Sequence, residues 1–270
     1  MGNQNSRKTG TEQYYTPLSI AKQCLAILDE VAIGGLYLEP AGGTGAFLQA
    51  LGERKWVSYD IEPKYKGIQK TNDFILEELQ LQDVITITNP PFGRANSLSV
   101  PFFNKCAEVS SHIGFLIPKS WRKWSVINRL DPRFHLVRDV ELTCDFDYPD
   151  QSKKSKGKLN TVFQVWEKRE ELRVKIEVED RHYISKSSPA EADVSMTVFG
   201  RGCGTVLRDF PRVPNTTKMF LKVHESWVYE ALNEIDFSVF YNNVAFIESL
   251  SMKEIMHLLN QHYDSWETGT

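Results

Sequence analysis

The stretch Asp83–Asn96, DVITITNPPFGRAN, restricts the possible folds more than any other part of the chain. Val84, Ile85 and Ile87, together with Thr86 and Thr88, make a short β-branched run without charge, the pattern of a strand buried on both faces. Pro90 and Pro91 remove two backbone donors and fix φ, so the strand must stop there. Strands covered on both faces belong to parallel sheets wrapped by crossover helices, and the flanking sequence has that form. LYLEPA, KWVSYDI, VITITN and IGFLIPKS read as strands. TGAFLQALGE, NDFILEELQ, the part of SVPFFNKCAEVS after Pro101, and a stretch near WSVINRL read as helices between and after them. Leu18–Val31 adds an earlier helix, with Ile20, Cys24, Leu25, Ile27 and Leu28 at helical spacing and Gly34-Gly35 as its stop. HLVRDVEL and LNTVFQVWEK then follow each other with no helix between, which predicts an antiparallel hairpin at one edge of a seven-stranded, mostly parallel sheet.

The 270 residues suffice for one large α/β domain and a smaller appendage. Residues 1–10 are polar and expected to be flexible, and residues 11–169 hold the alternating pattern. In 170–270 the texture changes to a small α+β appendage. ELRVKIEVED alternates like a strand, GRGCGT is a glycine-rich turn, and SMKEIMHLLNQHY is an amphipathic helix. No apolar stretch has the length of a membrane span and no signal segment opens the chain. Cys24, Cys106, Cys144 and Cys203 lack C-x-x-C spacing and the six histidines form no ligand pair. A cytoplasmic monomer with reduced thiols and no metal is the expectation, in a prokaryotic cell or a virus-infected host.

A net charge of −3 speaks against a nucleic-acid partner, but the average hides local order. Between His112 and Arg138, Lys119, Arg122 and four more cations meet one acid, Asp131. Between Gly200 and Lys222, Arg201, Arg208, Arg212, Lys218 and Lys222 meet only Asp209. Ser152–Lys158 carries Lys153, Lys154, Lys156 and Lys158. Any one of these is ordinary solvated surface; three in an acidic chain suggest a bipolar surface suited to nucleic acid.

Ligands of open α/β sheets bind outside the carboxyl ends of the strands, and the unusual residues fall at those ends. EPAGGTGAF, Glu39–Phe47, follows the first strand, where Gly42, Gly43 and Gly45 allow a tight turn and close backbone approach. Asp60 ends the second strand, placed to accept from ribose hydroxyls. A nicotinamide-dinucleotide site would share these features, but its G-x-G-x-x-G pattern needs a glycine where Leu48 stands. Glu39 is unfriendly to a pyrophosphate and suits an amino acid's ammonium. S-adenosylmethionine has ribose and amino acid without phosphate. A plain strand-to-helix turn is the competing reading of the glycines.

YYTP (Tyr14–Pro17), LEPAGGTGAF, SYDIEP, Asp73-Phe74 and NPPF, in that order, resemble motifs X, I, II, III and IV of the gamma-class adenine-N6 DNA methyltransferases. The resemblance runs from about residue 11 to the TVFQVW strand. It implies a Rossmann-like class I methyltransferase fold, with 11–169 as the catalytic domain and 170–270 as the target-recognition region. Departures are the Gly-Gly-Thr-Gly turn and a C-terminal segment short for target recognition.

Carried over, Tyr15, Thr16 and Pro17 would flank the methionine of S-adenosylmethionine. Glu39, beside Pro40 and Ala41, would hold its ammonium, and Gly42, Gly43 and Gly45 would let the backbone pass. Asp60, next to Ile61, would take the ribose. Asp73 would accept from the cofactor adenine's amine, with Phe74 giving its N–H and a ring face; Asp73 reads equally well as a cap. Asn89, Pro90, Pro91 and Phe92 would be catalytic. An exocyclic amine is a poor nucleophile because its lone pair is delocalised into the ring. The Asn89 side-chain oxygen and the Pro90 carbonyl would draw it toward tetrahedral geometry, while Phe92 stacks on a flipped-out adenine. Lys119, Arg122, the four lysines of Ser152–Lys158, Arg201 and Arg208 would contact the DNA. The alternatives are RNA or protein-glutamine amino-methyl transfer by the same turn, or a nucleic-acid-binding module with an inactive core. Without a nuclease signature, a solitary modification enzyme is expected rather than a fused restriction system.

Overall fold

The computed structural model describes residues 14–146, 159–245 and 247–268, and the chain divides into two compact units after Lys175. In the first unit, α1 (Leu18–Asp29) precedes β1 (Tyr37–Glu39), α2 (Ala46–Leu51), β2 (Trp56–Asp60) and β3 (Gln69–Lys70). After β4 (Val84–Thr88) come α3 (Ser99–Ala107), β5 (Ser110–Pro118), α4 (Trp124–Ile127), β6 (Phe134–Cys144) and β7 (Leu159–Lys168). The seven strands form one sheet in the order β3-β2-β1-β4-β5-β7-β6. β1 to β5 run parallel, and β7 runs antiparallel to both β5 and β6. This is the expected seven-stranded, mostly parallel sheet, and the expected hairpin at one edge is β6–β7.

The central strands behave as their sequence requires. All of β1 and β4 is buried, which is why both lack a polar face. Phe103 of α3 lies 5.5–5.7 Å from the rings of Phe115, Trp121, Phe134 and Trp166, mostly edge-on, and joins β5, β6 and β7. Truncating such a fully buried phenylalanine costs about 3–5 kcal/mol. Gly114 of β5 lies beneath Phe163, where an added Cβ would come within 2.7 Å of the ring.

Three local expectations change. NDFILEELQ is no helix; only a single 3-10 turn forms, Phe74–Leu76. Phe74 is buried while Leu76 is 79% exposed, so a second turn would gain no core contact to offset helix nucleation. ELRVKIEVED forms no strand, for Val174 is 85% exposed and no neighbouring strand pairs with the segment. α3 starts at Ser99, before Pro101, because the first turn of a helix needs no N–H from that residue.

The second unit is α+β. Its antiparallel sheet, in the order β10-β9-β11-β8, comprises β8 (Ile184–Lys186), β9 (Val194–Phe199), β10 (Val206–Leu207) and β11 (Thr217–Val223). Three helices follow, α5 (Val228–Glu234), α6 (Ser238–Tyr241) and α7 (Met252–Thr268). Met196, Leu221, Ile255 and Leu259 lie at the centre of its core. Ser251 and Glu254 form a capping box before α7, the Ser251 N–H donating to Glu254 at 2.7 Å and the Glu254 N–H to the serine hydroxyl at 3.4 Å. The GRGCGT turn has left-handed φ at all three glycines, and a Cβ on Gly200 would meet the Asn215 carbonyl at 2.5 Å. Among the described residues no helix is long and apolar enough to cross a membrane and no cluster could hold a metal ion; all four cysteines are buried and none is in a disulfide.

Candidate active site

β1 pairs in register with β2 on one side and β4 on the other, so their carboxyl ends fall together. A cavity of about 260 Å³ opens there, with an adjoining recess of about 30 Å³. Tyr15, Pro40, Ala41, Gly43, Asp60, Ile61, Asp73, Phe74, Asn89, Pro90 and Pro91 line the cavity. Thr16 and Gly42 line the recess. Pro17, Glu39, Gly45 and Phe92 lie off both walls.

The glycine turn is fastened to the end of β2. The Gly43 N–H donates to Asp60 Oδ2 and the Glu62 N–H to Asp60 Oδ1, each at 2.7 Å. Both oxygens keep acceptor capacity for hydroxyl groups. Gly43 takes φ +47° there, a left-handed conformation that favours glycine. Gly45 has a different reason from the expected one: at φ +81° an added Cβ would come within 2.3 Å of the Tyr65 ring, a residue of this chain.

Glu39 is buried under Pro40 and Ala41 rather than on the wall. Its Oε1 accepts from the Thr88 hydroxyl at 2.5 Å and from the Ala41 N–H at 2.9 Å. Burial dominates its ionisation and pushes its pKa up to about 8, against the opposing hydrogen bonds from Thr88 and Ala41, while the charge of Asp60 adds to the rise. Among the described residues no cation pairs with the carboxyl.

The turn after β4 presents its amide in a defined sense. Asn89 Nδ2 donates to the Tyr14 carbonyl at 2.9 Å. That bond fixes which end of the amide is oxygen, and Oδ1 is buried with no hydrogen-bond partner. A buried acceptor left this way costs about 1–3 kcal/mol. Phe92 is covered: the Tyr14 ring stacks on it at 5.6 Å and 27°, with Phe146 edge-on at 6.4 Å.

Asp73 fits both readings, since Oδ1 accepts from the Ile75 N–H at 3.0 Å as a cap while the residue also faces the cavity. Tyr14, Thr71, Asn72, Ile75, Leu98 and Phe102 also line it. Tyr14 stands inside YYTP, Asn72 and Ile75 inside NDFILEELQ, and Leu98 and Phe102 one helical turn apart after NPPF, whereas Thr71 carried no signal in the sequence.

The basic residues divide. Lys119 pairs with Glu141 at 2.7 Å, and Arg122 pairs with Asp139 at 2.5 Å and Glu141 at 2.8 Å. Arg208 lies 4.0 Å over the Tyr229 ring, and Arg201 is exposed in the glycine-rich turn. Lys153, Lys154, Lys156 and Lys158 lie outside the described residues.

The residues fit S-adenosylmethionine. Among the described residues the buried Glu39 has no cationic partner, Asp60 keeps acceptor capacity at the end of β2, and Asn89 Oδ1 has no donor.

No family model and no curated protein matches the chain. Among solved structures it is similar to a protein from Pyrococcus horikoshii provisionally described as an RNA methyltransferase, at 18% identity over 63% of this chain and 93% of that one, TM-score 0.47. It is also similar to the 23S rRNA methyltransferase ErmE, at 15% identity over 61% and 73%, TM-score 0.42. A third is the modification subunit of a provisionally assigned type I restriction enzyme from Vibrio vulnificus, at 13% identity over 58% and 45%, TM-score 0.41. These are likenesses of fold, and their substrates are not thereby those of this chain.

Proposed function

We propose that the chain transfers a methyl group from S-adenosylmethionine to the exocyclic N6 amine of a flipped-out adenine in DNA. The observation that carries this reading is the buried Oδ1 of Asn89, a residue that lines the cavity and whose Nδ2 donates to the Tyr14 carbonyl, leaving that oxygen without a donor among the described residues. The adjacent Pro90 and Pro91 stiffen a second acceptor, the Pro90 carbonyl, beside it. Two fixed acceptors suit an NH₂ group, and their preorganisation stabilises the amine as it becomes tetrahedral.

The cofactor, when bound, supplies an electrophilic methyl group. Asp60 accepts from its ribose hydroxyls while keeping the glycine turn in place, and Tyr15, Thr16 and Pro17 flank the amino-acid end. Glu39 acts from beneath, its carboxylate balancing the ligand's positive charge. Asp73 and Phe74 take the adenine end. Asn89 is too weak a base to hold the amine proton, which leaves late, to water. DNA is favoured by YYTP standing ahead of the glycine turn and by extra sequence following the sheet. The second unit, through Arg201 and Arg208, selects the target, and the lysines of Ser152–Lys158 meet phosphates. Lys119 and Arg122 are not part of this surface, because Glu141 and Asp139 already balance their charge. The protein works as a monomer.

The test offers DNA, RNA and protein side by side with tritiated S-adenosylmethionine. Label in DNA supports the reading. Label in RNA or in glutamine side chains moves the same turn to another amine, and no transfer at all removes the activity.

A further inference from the structure

Stacking of the target base on Phe92 faces an obstacle inside the chain. Phe92 is only 5% exposed and lines neither the cavity nor its recess, whereas Tyr14 lines both. The Tyr14 ring lies on the face of Phe92, nearly parallel to it, and Phe146 closes the group at 5.5 Å from Tyr14. An aromatic ring therefore already sits where the base is to go.

Tyr14 touches the site twice, through different parts. Its backbone carbonyl holds Asn89 Nδ2, and its ring covers Phe92. The following residues anchor the backbone: Thr16 is buried, and the Tyr15 hydroxyl accepts from Lys64 Nζ at 2.5 Å. Rotation about the side-chain torsions can thus withdraw the ring while the carbonyl, and with it the Asn89 amide, stays in place.

We infer that the Tyr14 side chain is a placeholder for the target base: it stacks on Phe92 until the base displaces it, so that flipping exchanges one ring for another. This rests on the amine-methylation reading above. Exchange keeps Phe92 covered throughout, so neither the approach nor the departure of the base exposes its apolar face. It also discriminates, because a substrate that cannot stack gains nothing to replace the tyrosine. Tyr14 acts here as a positioning and specificity residue, with its ring and its carbonyl serving separate ends.

The experiment measures binding of an oligo(dA) strand carrying one central 2-aminopurine to the S-adenosylmethionine-saturated protein, by anisotropy and by 2-aminopurine fluorescence. Tyr14→Ala removes the competing ring and leaves the backbone carbonyl. It should tighten binding about two- to tenfold, the worth of one aromatic pair, and raise the unstacked-base signal. Tyr14→Phe keeps the ring and should bind as the wild type does. In a Phe92→Ala background the gain from Tyr14→Ala should vanish, which a purely structural role of Tyr14 does not predict. Weaker binding by Tyr14→Ala, with the wild type binding normally, overturns the placeholder alone and makes Tyr14 a stacking platform. A wild type that takes the cofactor but binds the strand no better than the Phe92→Ala variant overturns the amine-methylation reading, and the placeholder with it.

Discussion

At the carboxyl end of β4 the Thr88 hydroxyl donates a 2.5 Å hydrogen bond to Oε1 of Glu39, the last residue of β1. This buried contact joins two adjacent strand ends beneath the candidate cofactor site, and it places an acid where water cannot solvate it. Its consequence is a dependence on pH.

Folding raises the Glu39 pKa from 4.5 to about 8. Between these values the folded chain keeps a proton that the unfolded chain has lost. The contribution of Glu39 to stability is therefore greatest below pH 4.5 and falls as pH rises toward 8, by a few kcal/mol (order of magnitude). Urea unfolding of wild type and Glu39→Gln at pH 5 and pH 8.5 measures it. The variant should lose less stability across that interval; equal losses would show that Glu39 ionises normally in the folded chain.

A cation bound above Glu39 pulls its pKa down again. Below pH 8, binding of S-adenosylmethionine should thus expel a proton, and affinity should rise with pH up to about 8. Calorimetry at pH 6.5 in two buffers of different ionisation enthalpy detects the proton. Heats that depend on buffer in the wild type but not in Glu39→Gln are expected. Buffer-independent heats in both would separate Glu39 from the ligand's charge.

Gly45→Ala tests why the turn needs glycine. A Cβ at φ +81° costs roughly 1–2 kcal/mol from the backbone alone, and the Tyr65 ring 2.3 Å away must also move. Tyr65→Gly, which removes the Cβ at 2.6 Å as well as the ring, should recover part of the lost thermal stability by relieving the contact. No recovery in the double variant would leave backbone conformation as the whole cause.

The basic side chains should fail in different ways. Arg122→Ala leaves Asp139 without its 2.5 Å partner and should destabilise by about 1–3 kcal/mol, with no change in the salt dependence of DNA binding. Neutralising Lys153, Lys154, Lys156 and Lys158 should flatten that salt dependence for every sequence. Arg201→Ala should relax sequence preference at particular positions. Methylation of a random-sequence library at two salt concentrations, scored for each variant, tells them apart; a reduced salt slope for Arg122→Ala alone would reverse the assignment.

The sequence reveals the frame of the site because its signals are local. Pro90 and Pro91 end β4 wherever the rest of the chain goes, and the glycine turn follows directly from β1. Partners from distant positions leave no such trace. Lys119 and Arg122 read as phosphate-binding cations, yet the β6–β7 hairpin brings Asp139 and Glu141 against them. Phe92 reads as an open stacking face, and Tyr14, far earlier in the chain, covers it. The second unit's sheet is hidden for another reason. Ser195 and Thr197 of β9 are buried along with Val194 and Met196, so polar and apolar positions do not sort by exposure.

The most direct test of the NPPF turn as the centre of the chemistry is single-turnover methyl transfer by Asn89→Ala at saturating S-adenosylmethionine, on whichever nucleic acid the wild type methylates. The Asn89 contact matters chiefly in the transition state, so the rate should fall on the order of a hundredfold or more while cofactor affinity stays unchanged. A rate near that of the wild type would contradict the account and leave Asn89-Pro90-Pro91 as a structural turn.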